Sequence, residues 1–197
     1  MEEGGIKPAG RQLNTGDVTG QNKQFEELAL PLLDPLYNFA RWLSGDADEA
    51  RDLVQETFVK SLKGFSAFRE GTNFRAWMFR ILRNTFLTNR TGLERRKTSQ
   101  EDKEGFDDVV ISHETPEAAL IRRADTELVR QAIAKLPTNF REVVVLADME
   151  EMRYREVAET LNIPIGTVMS RLARARKQIR EHILETLDVS ERVGTKS

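Results

Sequence analysis

The stretch from Tyr154 to Glu181, YREVAETLNIPIGTVMSRLARARKQIRE, constrains this chain more than any other. It holds two segments of helical apolar spacing joined by a few residues of unusual kind. Ala158 is small enough for a second helix to cross it closely. Asn162 is among the few residues other than glycine that tolerate left-handed backbone. Pro164 falls in the turn, and Thr167 opens the second helix. Val168, Leu172 and Ile179 share one face. Ser170, Arg171, Arg174, Arg176, Lys177 and Arg180 point away from it, with no acid among them before Glu181. A solvated helical hairpin could show any one of these features. Their combination favours a helix-turn-helix whose second helix meets phosphates and base edges.

Elsewhere the apolar spacing is helical too, and no segment alternates with a strand period. The fold class is therefore all-α. Residues 1–22 are glycine-rich with scattered apolar positions and read as a disordered tail. Helical spacing begins at Phe25 and continues through Leu43, interrupted by Pro31 and Pro35. Ser44-Gly45-Asp46 reads as a stop followed by a cap. A helix over Ala47–Leu62 places Ala50, Leu53, Val54, Thr57, Phe58 and Leu62 on one side. Lys63–Asn73 reads as a loop, and Phe74–Asn89 as the next helix. Residues 98–118 are largely polar and rich in acids and read as a flexible linker. Helical spacing resumes through Leu136, Pro137 breaks it, and Thr138 or Asn139 is placed to cap a helix ending near Met149. The organisation is then a first domain over 23–97 and a second over 119–187, with a C-terminal tail over 188–197.

The sequence has 197 residues, 31% of them charged, with a formal net charge of −2. That sum looks wrong for a DNA binder, but the acidic linker offsets two basic segments. The absence of cysteine excludes disulfides, thiolate metal sites and a thiol sensor within the chain. With only His113 and His182, a zinc site or a His-based catalytic triad has no support. No Gly-rich phosphate loop is present. These points argue against an enzyme and against any cofactor. Without a long apolar run or signal segment, the expected location is the cytoplasm, with no membrane insertion.

The second basic segment interleaves Arg69, Arg75, Arg80, Arg83 and Arg90 with Phe65, Phe68, Phe74, Trp77 and Phe79. Such a surface suits a single strand whose bases stack on aromatic rings. Spacing puts Trp77, Phe79 and Phe86 in the core. It leaves Phe68 either packed or exposed, and Asn84 either a base contact or a satisfied amide.

Two long motifs carry a family resemblance. DADEARDLVQETFVKSLKGF with FREGTNFRAWMFRILRNTF resembles region 2 of the extracytoplasmic-function (ECF) sigma factors. LPTNFREVVVLADMEEMRYREVAETLNIPIGTVMSRLARARKQIR resembles their region 4. The wording PLLDPLYNFA, GTNFRAWMFRILRNT and IPIGTVMSRL is similar to the redox-responsive subgroup controlled by zinc-containing anti-sigma proteins.

The resemblance implies a subunit that binds RNA polymerase core, recognises −35 duplex and captures melted −10 DNA. It implies that Asp52, Gln55, Glu56 and Phe58 lie against the polymerase β′ clamp. It implies −10 contacts from Phe68, Arg69, Gly71, Thr72, Asn73, Arg80 and Asn84, the last helping to hold a flipped base. Met169, Ser170, Ala173 and Arg174 match positions facing the −35 groove, and Arg171 and Arg176 match positions with structural or backbone-contact roles; Thr167 and Lys177 complete the candidate −35 DNA-binding set. Met169 and Ala173 depart from the basic and aromatic residues common in the family. Discrimination then falls on Ser170 and Arg174, with Met169 and Ala173 offering apolar contact to thymine methyls. An anti-sigma partner is also implied. The alternatives are a stand-alone helix-turn-helix regulator, which would form a symmetric dimer on palindromic sites, and a nuclease, which lacks the clustered acids or His base it needs.

Overall fold

The computed structural model describes residues 15–69, 71–94 and 126–194, and every regular element among them is helical. Helix α1 spans Thr15–Ala29 and leads through a short 3-10 turn, Leu30–Leu32, into α2, Leu33–Ser44. The prolines account for this break. Pro31 lies inside the 3-10 turn, and Pro35 falls in the first turn of α2, where its missing N–H costs little. The sequence reading placed residues 15–22 in a disordered tail, yet α1 includes them. Phe25 and Ala29 are buried and anchor the helix, and no proline stops its extension toward Thr15.

Gly45 closes α2 at φ +75, its N–H donating to the Arg41 carbonyl at 2.9 Å. Asp46 then caps α3, Ala47–Gly64, accepting the N–H groups of both Asp48 and Glu49 at 2.9 Å on one carboxylate oxygen. Two otherwise orphaned donors are satisfied by one side chain. Asp46→Ala is expected to destabilise the protein by about 1 kcal/mol, measurable as a lower urea midpoint with an unchanged m-value.

The buried face of α3 is Ala50, Leu53, Val54, Thr57 and Ser61. The hydroxyls of Thr57 and Ser61 donate back to the Leu53 and Phe58 carbonyls, so these polar residues pack without orphaned groups. Phe58 and Leu62 are not on this face as the sequence reading had them. Phe58 is half-buried and meets Phe25 edge-on at 6.3 Å, while Leu62 is 43% exposed. The 3.6-residue turn carries both positions past the buried stripe.

Helix α4 spans Phe74–Glu94 and buries Met78, Phe79, Leu82 and Phe86. It outruns the expected end at Asn89 because neither glycine nor proline occurs before Gly92. Phe79 and Phe86 are core residues as the spacing indicated, and Trp77 is partly buried against them.

The second unit begins with α5 over residues 126–134. Then come α6, Thr138–Val144, a π turn over Val145–Met149, α7, Tyr154–Leu161, and α8, Ile165–Gly194. The N-cap of α6 is Pro137 rather than Thr138 or Asn139, and no side chain caps it. Helix α8 runs through Gly194, so residues 188–194 are helical rather than tail. No Pro or Gly stands between Gly166 and Gly194 to stop it. The acidic linker over 98–118 lies outside the described residues. Leu36, Phe39 and Phe86 of the first unit and Leu146, Val157 and Leu172 of the second belong to one continuous apolar core.

Candidate nucleic-acid interface

The turn between α7 and α8 is built as its residues require. Asn162 adopts φ +53 and ψ +50, and its N–H donates to the Ala158 carbonyl. The Pro164 carbonyl accepts the N–H groups of Thr167 and Val168 at 2.8 and 3.2 Å, which starts α8. Val168 and Leu172 are buried and Ile179 packs at the core edge. The opposite face leaves Met169, Ser170, Ala173 and Arg174 exposed together. Met169 is 55% exposed, a large apolar side chain facing outward from a charged helix. Arg174 meets no carboxylate among the described residues. The Ser170 hydroxyl donates to the Thr167 carbonyl at 3.1 Å, which leaves its lone pairs outward.

Arg176 plays a different part. Its Nε and Nη2 donate to the two Asp148 oxygens at 3.1 and 2.6 Å. The Asp148 hydrogen bond raises the already high pKa of this guanidinium. Asp148 sits in the π turn, so Arg176 fastens α8 to the segment that follows α6. Lys177 lies 3.7 Å from Glu181, an exposed pair of little energetic weight. Arg171 and Thr167 are half-exposed.

In the first unit, a short 3-10 turn, Phe65–Ala67, passes into a loop ending at α4. Phe68 proves to be half-buried, stacked on Phe65 at 6.1 Å and 5.1 Å from Trp77. Gly71 takes φ +82, and both the N–H and the hydroxyl of Thr72 donate to the Arg69 carbonyl. Asn73 caps α4 by accepting the Ala76 N–H at 3.0 Å. Phe68, Gly71 and Thr72 come together around an open cleft of about 500 Å3. Arg69, Arg80 and Asn84 are exposed but do not line it.

The two units meet through polar contacts that the sequence reading missed. Arg83 donates from Nε and Nη2 to both oxygens of Glu142, at 2.7 and 3.2 Å, and the Glu142 side chain is 1% exposed. Arg75 reaches the Glu150 carbonyl at 2.7 Å and its carboxylate at 3.1 Å. Burial raises the pKa of Glu150, with Arg75 acting in the opposite sense. Asn73 donates to Glu156 at 2.6 Å, and the other Glu156 oxygen accepts the Arg153 N–H. Arg141 donates to the Trp42 carbonyl at 3.1 Å. A loop residue expected to meet DNA thus has its amide held by the other unit. The one available signal was Glu142, an acid directly before the apolar run Val143–Leu146.

Helix α3 carries the residues expected to meet polymerase. Asp52 and Gln55 are exposed, and they continue in register with Val59 and Leu62, which are 52% and 43% exposed. Glu56 is instead braced within the unit, accepting from Lys60 at 2.8 Å and Asn89 at 3.1 Å. The Lys60 hydrogen bond, followed by that of Asn89, lowers its pKa. Phe58 faces α1 and does not join Asp52 and Gln55.

Among the described residues, no cluster of His, Asp and Glu is placed to hold a metal ion. Nor is any described helix long and apolar enough to cross a membrane.

Comparison with known proteins agrees with this layout. Sigma-70 region 2 matches residues 28–96, and sigma-70 region 4 matches residues 126–179. The ECF RNA polymerase sigma factor SigE of Mycolicibacterium smegmatis is 33% identical over 90% of this chain and 70% of its own length. EcfG, an ECF sigma factor of Rhodopseudomonas palustris, is 35% identical over 76% of this chain and 80% of its own. Among solved structures, the sigma factor RpoE of Bartonella quintana, in complex with the anti-sigma factor NepR, superposes with a TM-score of 0.65. It is 32% identical and covers 82% of this chain and 97% of its own. Because the likeness spans both units, a regulator built on the second unit alone is not favoured. The chain belongs to the ECF sigma factors of the sigma-70 family.

Proposed function

We propose that this sigma factor binds RNA polymerase core and directs it to promoters, with no catalytic step of its own. The observation that carries the reading is the pairing of two unlike nucleic-acid surfaces. One is the exposed Met169, Ser170, Ala173 and Arg174 face of α8, suited to a −35 major groove. The other is the aromatic loop around Phe68, Gly71 and Thr72, suited to unpaired −10 bases. Arg69 and Arg80 would steer the strand, and Asn73 would join it once Glu156 lets go. Energy for local melting would come from captured bases and polymerase contacts.

On this reading, the first functional unit covers 23–97, the second 119–187, and 98–118 joins them. Asp52 and Gln55 on α3 would meet the polymerase β′ clamp, with Val59 and Leu62 extending the contact. Glu56 and Phe58 would support that helix from within. An anti-sigma protein would hold the factor inactive in the cytoplasm. The RpoE–NepR complex supports this partner class. The phrases PLLDPLYNFA and IPIGTVMSRL favour an inhibitor of the zinc-containing, redox-responsive kind.

The test is gel filtration with purified core polymerase. The protein should comigrate with core, and Asp52→Arg with Gln55→Arg should abolish comigration while leaving the helical signal intact. Failure of the wild-type protein to comigrate would sink the reading.

A further inference from the structure

Four of the five methionines fall among the described residues, and they divide by exposure. Met78 and Met152 are buried, at 0% and 3%. Met149 and Met169 are 46% and 55% exposed. Both exposed methionines belong to the second unit, and the chain holds no cysteine to take an oxidant in their place.

Met169 stands where a chemical change would be felt. Ile165, Met169 and Ala173 follow one another at four-residue steps, so they form an apolar strip along the exposed face of α8. Ile165 is itself exposed, and Ser170 and Arg174 lie beside the strip. A thioether is soft and apolar and suits the 5-methyl group of thymine. Its sulfoxide is polar and presents an oxygen that only accepts hydrogen bonds. Thymine and guanine also present acceptors in the major groove, so that oxygen opposes them and takes the place of the methyl contact. Met149 lies in the π turn, outside the strip.

We infer that Met169 is a reversible oxidation site, at which conversion to the sulfoxide weakens the binding of α8 to its −35 duplex. The inference rests on the proposed −35 reading and adds regulation to it. The oxidant is a two-electron oxygen donor of the peroxide class. The sulfur lone pair attacks one peroxide oxygen, an S–O bond forms as the O–O bond breaks, and the departing hydroxide takes the remaining proton and leaves as water. Sulfur is oxidised by two electrons, and the peroxide is reduced. A sulfoxide reductase restores the thioether, its dithiol becoming a disulfide while the oxygen leaves as water. Bound DNA would cover Met169, so the free factor is the form that reacts.

The test treats full-length protein with hydrogen peroxide and removes the peroxide before core polymerase is added. Peptide mass mapping should show one oxygen gained at Met149 and at Met169 before Met78 or Met152 reacts. The probe is the −35 duplex that untreated holoenzyme selects from a randomised pool. Oxidation should weaken its binding by at least about fourfold, the affinity that one desolvated methylene supplies. Methionine sulfoxide reductase with dithiothreitol should restore it. Each variant is compared with itself before and after peroxide. Met169→Leu should show no change on treatment, and Met149→Leu should lose affinity as wild type does. If Met169 gains oxygen and the selected duplex binds as before, the inference is overturned and the −35 reading stands. Equal losses in treated Met169→Leu and wild type, failure of the reductase to restore binding, or unfolding of treated protein by circular dichroism would each overturn it too. If untreated holoenzyme selects no duplex, the −35 reading falls and the inference with it.

Discussion

Glu142→Ala is expected to lower stability by about 3 kcal/mol, the low end of the cost of removing one partner from a buried ion pair. The carboxylate is 1% exposed and holds Arg83 with two hydrogen bonds, but the Arg83 side chain keeps 21% exposure and recovers some solvation. The loss should have a distinctive form, because Glu142 lies in α6 and Arg83 in α4. Both tryptophans, Trp42 and Trp77, are in the first unit, so their fluorescence reports chiefly on that unit and on its junction with the second. In wild type, fluorescence and circular dichroism should unfold together. In Glu142→Ala, the dichroism transition should move to lower denaturant than the fluorescence transition. Coincident transitions at the wild-type midpoint would show that this pair does not join the units. Glu150 is not equivalent. Burial raises its pKa, so its favourable contribution is present below the ordinary carboxylate range and is lost as pH rises through the raised value. Glu150→Gln should therefore cost less than Glu142→Ala at neutral pH.

Arg174→Ala is expected to remove about 1–3 kcal/mol of discrimination between the preferred −35 duplex and a scrambled one. Among the described residues no carboxylate competes for this guanidinium, and Ser170, Met169 and Ala173 beside it offer no second cation. Competition binding with reconstituted holoenzyme would measure the effect. Lys177→Ala serves as the contrast. It should weaken both duplexes alike and reduce the salt dependence of binding. If Arg174→Ala behaves as Lys177→Ala does, Arg174 contacts backbone and reads no base.

Where one residue's chemistry decides a local structure, the sequence reading met the structure closely. Asn162 had to take left-handed backbone for the turn to close, and it does. Gly45 and Asp46 marked a stop and a cap, and both are there. Helix ends without such a residue were misjudged, as at Thr15, Glu94 and Gly194, because periodicity fades gradually while helix hydrogen bonding continues until something stops it. Phe58 and Leu62 show the related error of assigning a face by similarity of side chain rather than by angle. Apart from the acid at Glu142, the contacts between units were not legible. Arg75 with Glu150 and Arg83 with Glu142 join residues far apart in sequence, and no local rule pairs one arginine with one glutamate.

Run-off transcription with purified core polymerase tests the central claim most directly. Genomic fragments would serve as template, with start sites mapped from the transcripts. The account predicts initiation at discrete sites that share paired upstream −35 and −10 elements. It also predicts that Arg174→Ala blurs the upstream element and Phe68→Ala blocks opening at all sites. Transcription that never exceeds the level of core alone, on any template, would contradict it.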